Sequence, residues 1–246
     1  MQMNTQYLDE VSRILQKVRQ TQLPQMVNAA QRMANATIDG KSLFVFGCNH
    51  AGLLAMEMYY RTGGMVNINP VRGPGLHLEI NPATMTSQME RIGGYGRLLI
   101  DMTPLRQGDV IIIHSVSERN SVSVDAAIRA REKGAKVIVL TNMETSTAVE
   151  SRHESGKKLY KVADLVIDNC GCLGDAALPL PGVQAKVGPT STVIGAAVLN
   201  VIVCRTVELV MAAGWDAPVF VSANTDGGDA YNEKMLLKYA DHIFYM

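Results

Sequence analysis

DVIIIHSVSERNSVSVDAAIRAREKGAKVIVLT, residues 109–141, contains one complete unit of the fold. Asp109 to His114 carries four consecutive branched apolar residues, a pattern that suits a strand covered on both faces. Ser121 to Lys133 has helical character, and Gly134 follows where a helix commonly ends in a left-handed residue. Lys136 to Thr141 is again a short apolar run. Strand, helix and strand in this order predict a right-handed crossover between parallel strands.

The same alternation extends in both directions. Upstream, Ser42 to Phe46 reads as a buried strand ending at Gly47, and a helix is expected over Ala51 to Arg61, closed by Gly63-Gly64. Met65 to Asn69 reads as a strand stopped by Pro70, Gly73 to Pro82 as loop, and Ser87 to Met102 as partly helical, broken at Gly93-Gly94. Before all of these, Leu8, Val11, Leu15 and Val18 form a helical stripe that Met26, Ala30 and Met33 continue after Pro24, which separates two helices. This stripe packs on the chain's own domain or on a partner subunit. Downstream come a short helix, a strand over Ala163 to Asp168, a long helix over Thr190 to Ala213, and a last helix over Asp229 to Tyr239. The expected architecture is a three-layer α-β-α sandwich on a five-stranded parallel sheet, with N- and C-terminal helices. Residues 1–246 read as one domain, 1–37 being a helical segment and 38–246 the α/β core.

Composition narrows the function. The 246 residues are 47% hydrophobic and 19% charged, so a packed core is expected. Lys plus Arg and Asp plus Glu are 23 each, so no global basic field attracts nucleic acid or an anionic membrane, and neither is expected as a partner. The longest apolar run, Val193 to Cys204, falls short of the ~20 residues of a membrane span and reads as a buried helix. Met1 to Glu10 is polar rather than basic then apolar, and the four cysteines suggest free thiols in a reducing cytoplasm. Cys170-Gly171-Cys172 lacks zinc-finger spacing, so no metal is expected from it.

Two junctions carry the chemistry: Phe46-Gly47-Cys48-Asn49-His50-Ala51 and Ile113-His114-Ser115-Val116-Ser117-Glu118-Arg119-Asn120-Ser121. Each sets small polar residues between a strand's end and a helix's start, where free N–H groups and the helix dipole favour an anion. Ser115, Ser117, Asn120 and Ser121 add donors for a phosphate, although serine and asparagine also serve as plain N-caps. A dinucleotide loop is not supported, because Asn49 stands where G-x-G-x-x-G needs glycine and no acidic residue closes the second strand. The P-loop pattern is absent.

The second junction resembles the S-x-S-G-x-[TSN] phosphate loop of sugar isomerase (SIS) domains, and the first resembles their G-x-G-x-S loop. The likeness covers nearly the whole chain. It is most specific over Glu57–Gly64 (EMYYRTGG), Ser151–Asp164 (SRHESGKKLYKVAD), Val187–Thr192 (VGPTST) and Ser222–Asp229 (SANTDGGD), and it is nearest to a bacterial group of single-SIS-domain proteins sometimes labelled phosphoheptose isomerases. The resemblance implies a flavodoxin-like SIS fold, a sugar phosphate ligand, and a homodimer or homotetramer whose sites borrow residues from a neighbour. Glu118 stands where the SIS loop has glycine, and Asn49 and Ala51 replace the glycine and serine of the first loop. A carboxylate repels a bound phosphate, so Glu118 is expected to point outward or pair with Arg119.

Aldose–ketose isomerisation needs a base that moves a proton between neighbouring carbons. The resemblance places it at Glu57, which Arg61 can also pair at i,i+4. His50 is the candidate for ring opening, or a cap. In the resemblance the zinc-ligating histidine falls at Leu53, so neither metal nor cofactor is expected. Asn49 joins the phosphate loop, Thr190 and Ser191 begin the long helix as sugar contacts, and Asn224 and Asp226 offer acceptors to sugar hydroxyls. Glu90 reads as a surface ion pair with Arg91, and His153 as part of a basic cluster with Arg152 and Lys157. The expected activity is sugar-phosphate isomerisation. A phosphosugar lyase or etherase and a non-catalytic phosphosugar sensor are the alternatives.

Overall fold

The computed structural model describes residues 5–246. Of the polar start Met1–Glu10, residues 1–4 lie outside the described residues. The elements run α1 (Gln6–Thr21), α2 (Leu23–Ile38), β1 (Leu43–Gly47), a 3-10 turn (Asn49–Ala51), α3 (Gly52–Met58), β2 (Ile68–Pro70), α4 (Met85–Met89), α5 (Tyr95–Met102), β3 (Val110–His114), α6 (Ser121–Glu132), β4 (Lys136–Thr141), α7 (Met143–Ala148), α8 (Leu159–Val162), β5 (Leu165–Asp168), β6 (Ala176–Leu178), β7 (Val187–Pro189), α9 (Ser191–Ala212) and α10 (Gly228–Lys238).

Five parallel strands form one sheet, as the apolar runs predict, and their order in it is β2-β1-β3-β4-β5. Both faces are covered. Leu43, Val45, Val110, Ile112, Ile138 and Leu140 pack into the cluster with α1, α2, α3 and α9. Phe44, Phe46, Ile111, Ile113, Val137 and Val139 point to the opposite cluster with α5, α6 and α8. Two buried faces explain why the strands are continuously apolar rather than alternating. Pro24 lies in the first turn of α2, where a missing N–H costs little. The stripe of α1 is rotated from the expectation: Val11, Ile14 and Val18 are buried, whereas Leu8 is 62% exposed.

Several boundaries differ. The helix expected over Ala51–Arg61 is a 3-10 turn followed by α3, which stops at Tyr59 in extended backbone. Gly63 and Gly64 do not close a helix. Their backbone bonds Phe220, and Met65 bridges Val219, so the chain here is held by a C-terminal segment distant in sequence. That pairing delays β2 to Ile68, and Pro70 sits within it because β2 is an edge strand that needs no second ladder. The C-terminal chain then shields that edge: Asn69 donates to His242 O (2.9 Å) and accepts from Phe244 N–H (2.7 Å). The antiparallel hairpin β6–β7 is not foreseen by the sequence pattern, since both strands are three residues long. Helix α9 is longer than its apolar run and, by length and composition alone, long enough to cross a membrane. Here it packs on α2 and α3.

Candidate functional site

The chain passes from β1 outward to β2 and then back across to β3, so the strand order reverses between β1 and β3. Gly47 is registered against His114, which brings the two junctions read from the sequence side by side at the carboxyl edge. In the first, the chain folds tightly back: a Cβ on Gly47 would lie 2.4 Å from Ala51 O. Asn49 adopts φ +53°, a conformation tolerated by asparagine, and its N–H bonds Leu76 O at 2.8 Å. His50 is exposed on this turn. Beneath it His114 is 1% exposed; its Nδ1 donates to Ala51 O (3.3 Å) while Nε2 has no partner among the described residues. Burial, outweighing the Ala51 bond and Asp175, holds this imidazole down to about 4, so it stays neutral at pH 7.

In the second junction Ser115 and Ser117 are half-buried, and Asn120 precedes the first turn of α6 in extended backbone. Ser121 is buried, its hydroxyl 3.4 Å from Arg152 O. Glu118 corrects the expectation: it neither points outward nor pairs with Arg119. It takes φ +57°, the left-handed conformation available to glycine, and its side chain is fully buried. The Ser146 hydroxyl of α7 donates to its Oε2 at 2.5 Å, and Oε1 has no partner among the described residues. Lys158 bonds Ser146 O beside it. The carboxylate is therefore committed to the α7 side of the loop, and burial pushes its pKa up against the pull of Ser146 and Lys158. Arg119 instead donates to Glu150 O (3.0 Å).

Glu90, at the end of α4, spans the two junctions. Its carbonyl accepts the Val122 N–H at 3.2 Å, and its half-buried carboxylate faces the amides of Asn120 and Asn49. Burial raises its pKa, opposed by those amides and by Arg91 and Arg152. The expected Glu90–Arg91 surface pair does not form. Adjacent residues on a helix do not face each other, a signal already present in the sequence.

Other expected residues lie elsewhere. Glu57 pairs with Arg61 and accepts from Asn200 Nδ2 (3.1 Å) of α9, five residues into a helix that leads away from the loops. Thr190 and Ser191 are buried and already used: Asp175 accepts from both N–H groups (3.0 and 2.7 Å) and from the Ser191 hydroxyl (2.7 Å). Their donors cap α9 internally rather than standing open to sugar. Asn224 and Asp226 are exposed on the segment that docks against Arg61–Gly64, beyond the C-terminal end of α3. His153 is no free cation: it is buried, with Nε2 3.0 Å from Asp125 and Nδ1 2.7 Å from Ser155 Oγ. The larger clefts, 420 Å³ between α2 and α9, 280 Å³ where α1 and α2 meet α9, and 260 Å³ between Tyr60–Thr62 and the C-terminal segment, open away from the junctions. Convergent polar groups, rather than cleft size, single out the two junctions as the candidate site. Among the described residues no cluster of three or more His, Cys, Asp or Glu side chains has metal-binding geometry.

The profile of the family described as SIS domain matches residues 6–142. The chain belongs to the SIS domain family. Within that family this SIS domain is similar to UPF0309 proteins: that of Shouchella clausii is 47% identical over 241 residues, and that of Oceanobacillus iheyensis 43%, with 98% of each chain covered in both cases. A phosphoheptose isomerase from Francisella tularensis has the same fold at 14% identity, with TM-score 0.50, over 83% of this chain and 94% of that one. The SIS domain match spans β1, the 3-10 turn and β3 through β4, and so includes both junctions.

Proposed function

We propose that this SIS domain binds a sugar phosphate at the β1/β3 edge and interconverts its aldose and ketose forms. Ser115, Ser117, Asn120, Asn49 and the first turn of α6 hold the phosphate. Glu90, rather than Glu57, carries the proton between adjacent carbons through an enediol. His50 assists ring opening from the exposed turn. The observation that supports this most is Glu90 itself, a carboxylate lying between the two loops and made more basic by burial. A base of raised pKa is better matched to abstracting a proton near neutrality. Glu57 lacks that position, being held by Arg61 and Asn200.

Turnover in D2O with sugar phosphates tests the reading, because isomerisation through an enediol washes solvent deuterium into the product. Glu90→Gln should lower kcat by roughly 10²–10⁴-fold while leaving ligand-induced thermal stabilisation in place. Full activity of that variant removes Glu90 as the base. A β-elimination product assigns the lyase reading, and binding without turnover assigns the sensor. The assembly we propose is a homodimer or homotetramer, formed through the apolar face where Leu23, Val27, Val193 and Val201 are exposed beside the 420 Å³ cleft.

A further inference from the structure

The segment Glu150–Lys158, all but its first residue within the Ser151–Asp164 stretch, is a strap clasped over the β3–α6 junction. Arg152 N–H donates to Arg119 O (2.7 Å), Arg119 Nε to Glu150 O (3.0 Å), and Arg152 Nη1 to Asn120 Oδ1 (2.9 Å). His153 fixes the strap to α6 through Asp125, and Lys158 fixes its far end at Ser146. The result is a gathering of like charge. Arg119 precedes the α6 cap, Arg152 bonds that cap, and Arg91 follows Glu90, whose carbonyl holds the Val122 N–H. Among the described residues none of these three arginines forms an ion pair, and neither do Arg19, Arg32, Arg72 and Arg106; what sets the three apart is that they lie together around one loop. Their mutual repulsion is felt: after desolvation, the charges of Arg119 and Arg91 depress the Arg152 pKa, against the pull of Glu90.

The charges that act on Arg152 are two guanidinium groups and the one carboxylate of Glu90, which leaves net positive charge beside the loop. We infer that Arg91, Arg119 and Arg152 form a second anion subsite, and that the ligand is a sugar phosphate bearing a further carboxylate or phosphoryl group. This rests on the phosphosugar reading and narrows it. Planar guanidinium groups suit either anion, since each takes paired N–H donors. The strap explains how the subsite is maintained: the Arg152 backbone N–H on Arg119 O and the Arg119 side chain on Glu150 O hold two of the charges together.

Matched ligands test the inference. Calorimetry would compare glucitol 6-phosphate with 6-phosphogluconate, which differ by a carboxylate, and fructose 6-phosphate with fructose 1,6-bisphosphate, which differ by a phosphoryl group. The expected result is a gain of about tenfold or more in affinity for one doubly anionic member, shrinking as salt rises. The pair that shows the gain identifies the anion. Arg91→Gln, and the double variant with Arg152→Gln, should erase that gain yet leave the singly phosphorylated ligands within about threefold, with circular dichroism confirming the fold. Equal weakening of all four ligands would assign the arginines to the sugar's phosphate and overturn the inference, as would a gain below about twofold in both pairs. If no ligand of the four binds, the phosphosugar reading itself falls and takes the inference with it.

Discussion

At the residue scale, two buried ionisable groups beneath the loops titrate in opposite senses. His114 has its folded pKa depressed from 6.5 to about 4, so the unfolded chain binds the extra proton between those values. Its contribution to stability is complete above pH 6.5 and is lost as pH falls toward 4, by about 3 kcal/mol in all. Denaturation midpoints from pH 7 to 4 should fall more steeply for the wild type than for His114→Asn, which keeps a donor for Ala51 O but cannot charge. Parallel curves would show that His114 is protonated normally. Glu118 behaves inversely, because its folded pKa is raised above 4.5. Its contribution is greatest below pH 4.5 and is lost as pH rises through the folded pKa, so Glu118→Gln should gain on the wild type over that range. A difference that does not vary with pH would show that burial does not perturb Glu118. Neither behaviour is legible from residue type. Glu118 was expected outside because it replaces a glycine next to a phosphate loop. It is inside because its left-handed backbone aims the side chain at Ser146 of α7, whose position depends on β4 packing beside β3.

At the element scale, the site depends on how closely α5 approaches α6. A Cβ on Gly96 would lie 2.0 Å from Val122 O and 2.8 Å from Asp125 Cβ, in the first turns of α6. Gly96→Ala should therefore destabilise by about 1–3 kcal/mol or more and weaken ligand binding, as α6 shifts off the junction. Gly93→Ala, with open space around it, is the matched control and should leave the urea midpoint unchanged. Equal midpoints for the two variants would mean that α5 yields freely. Helices α6 and α9 and strands β3 and β4 were readable to within a residue or two at their ends, because long periodic runs and Gly134 define them. The three-residue strands and the early end of α3 were not, since partners far away in sequence decide them.

For the whole molecule, an exposed apolar face on α2, α3 and α9 includes Leu23, Leu53, Met56 and Val201, of which Leu53, Met56 and Val201 are between 43% and 46% exposed. Val201→Glu should shift light-scattering mass toward the monomer while the secondary structure is retained. An unchanged mass places the contact elsewhere or shows that the chain stands alone. The succession of strands and helices along the chain, and the two strand-to-helix loops, followed from the sequence alone, because burial on both sheet faces and the break between strand and helix are local patterns. Tertiary structure decided the rest: which carboxylate lies between the loops, which lies beneath them, which hydroxyls are already used, and where three arginines converge. Those placements depend on contacts between segments far apart in the chain, such as the 150–158 strap against residues 118–125 and Glu90 against Val122. Spacing within a single stretch of sequence cannot encode them.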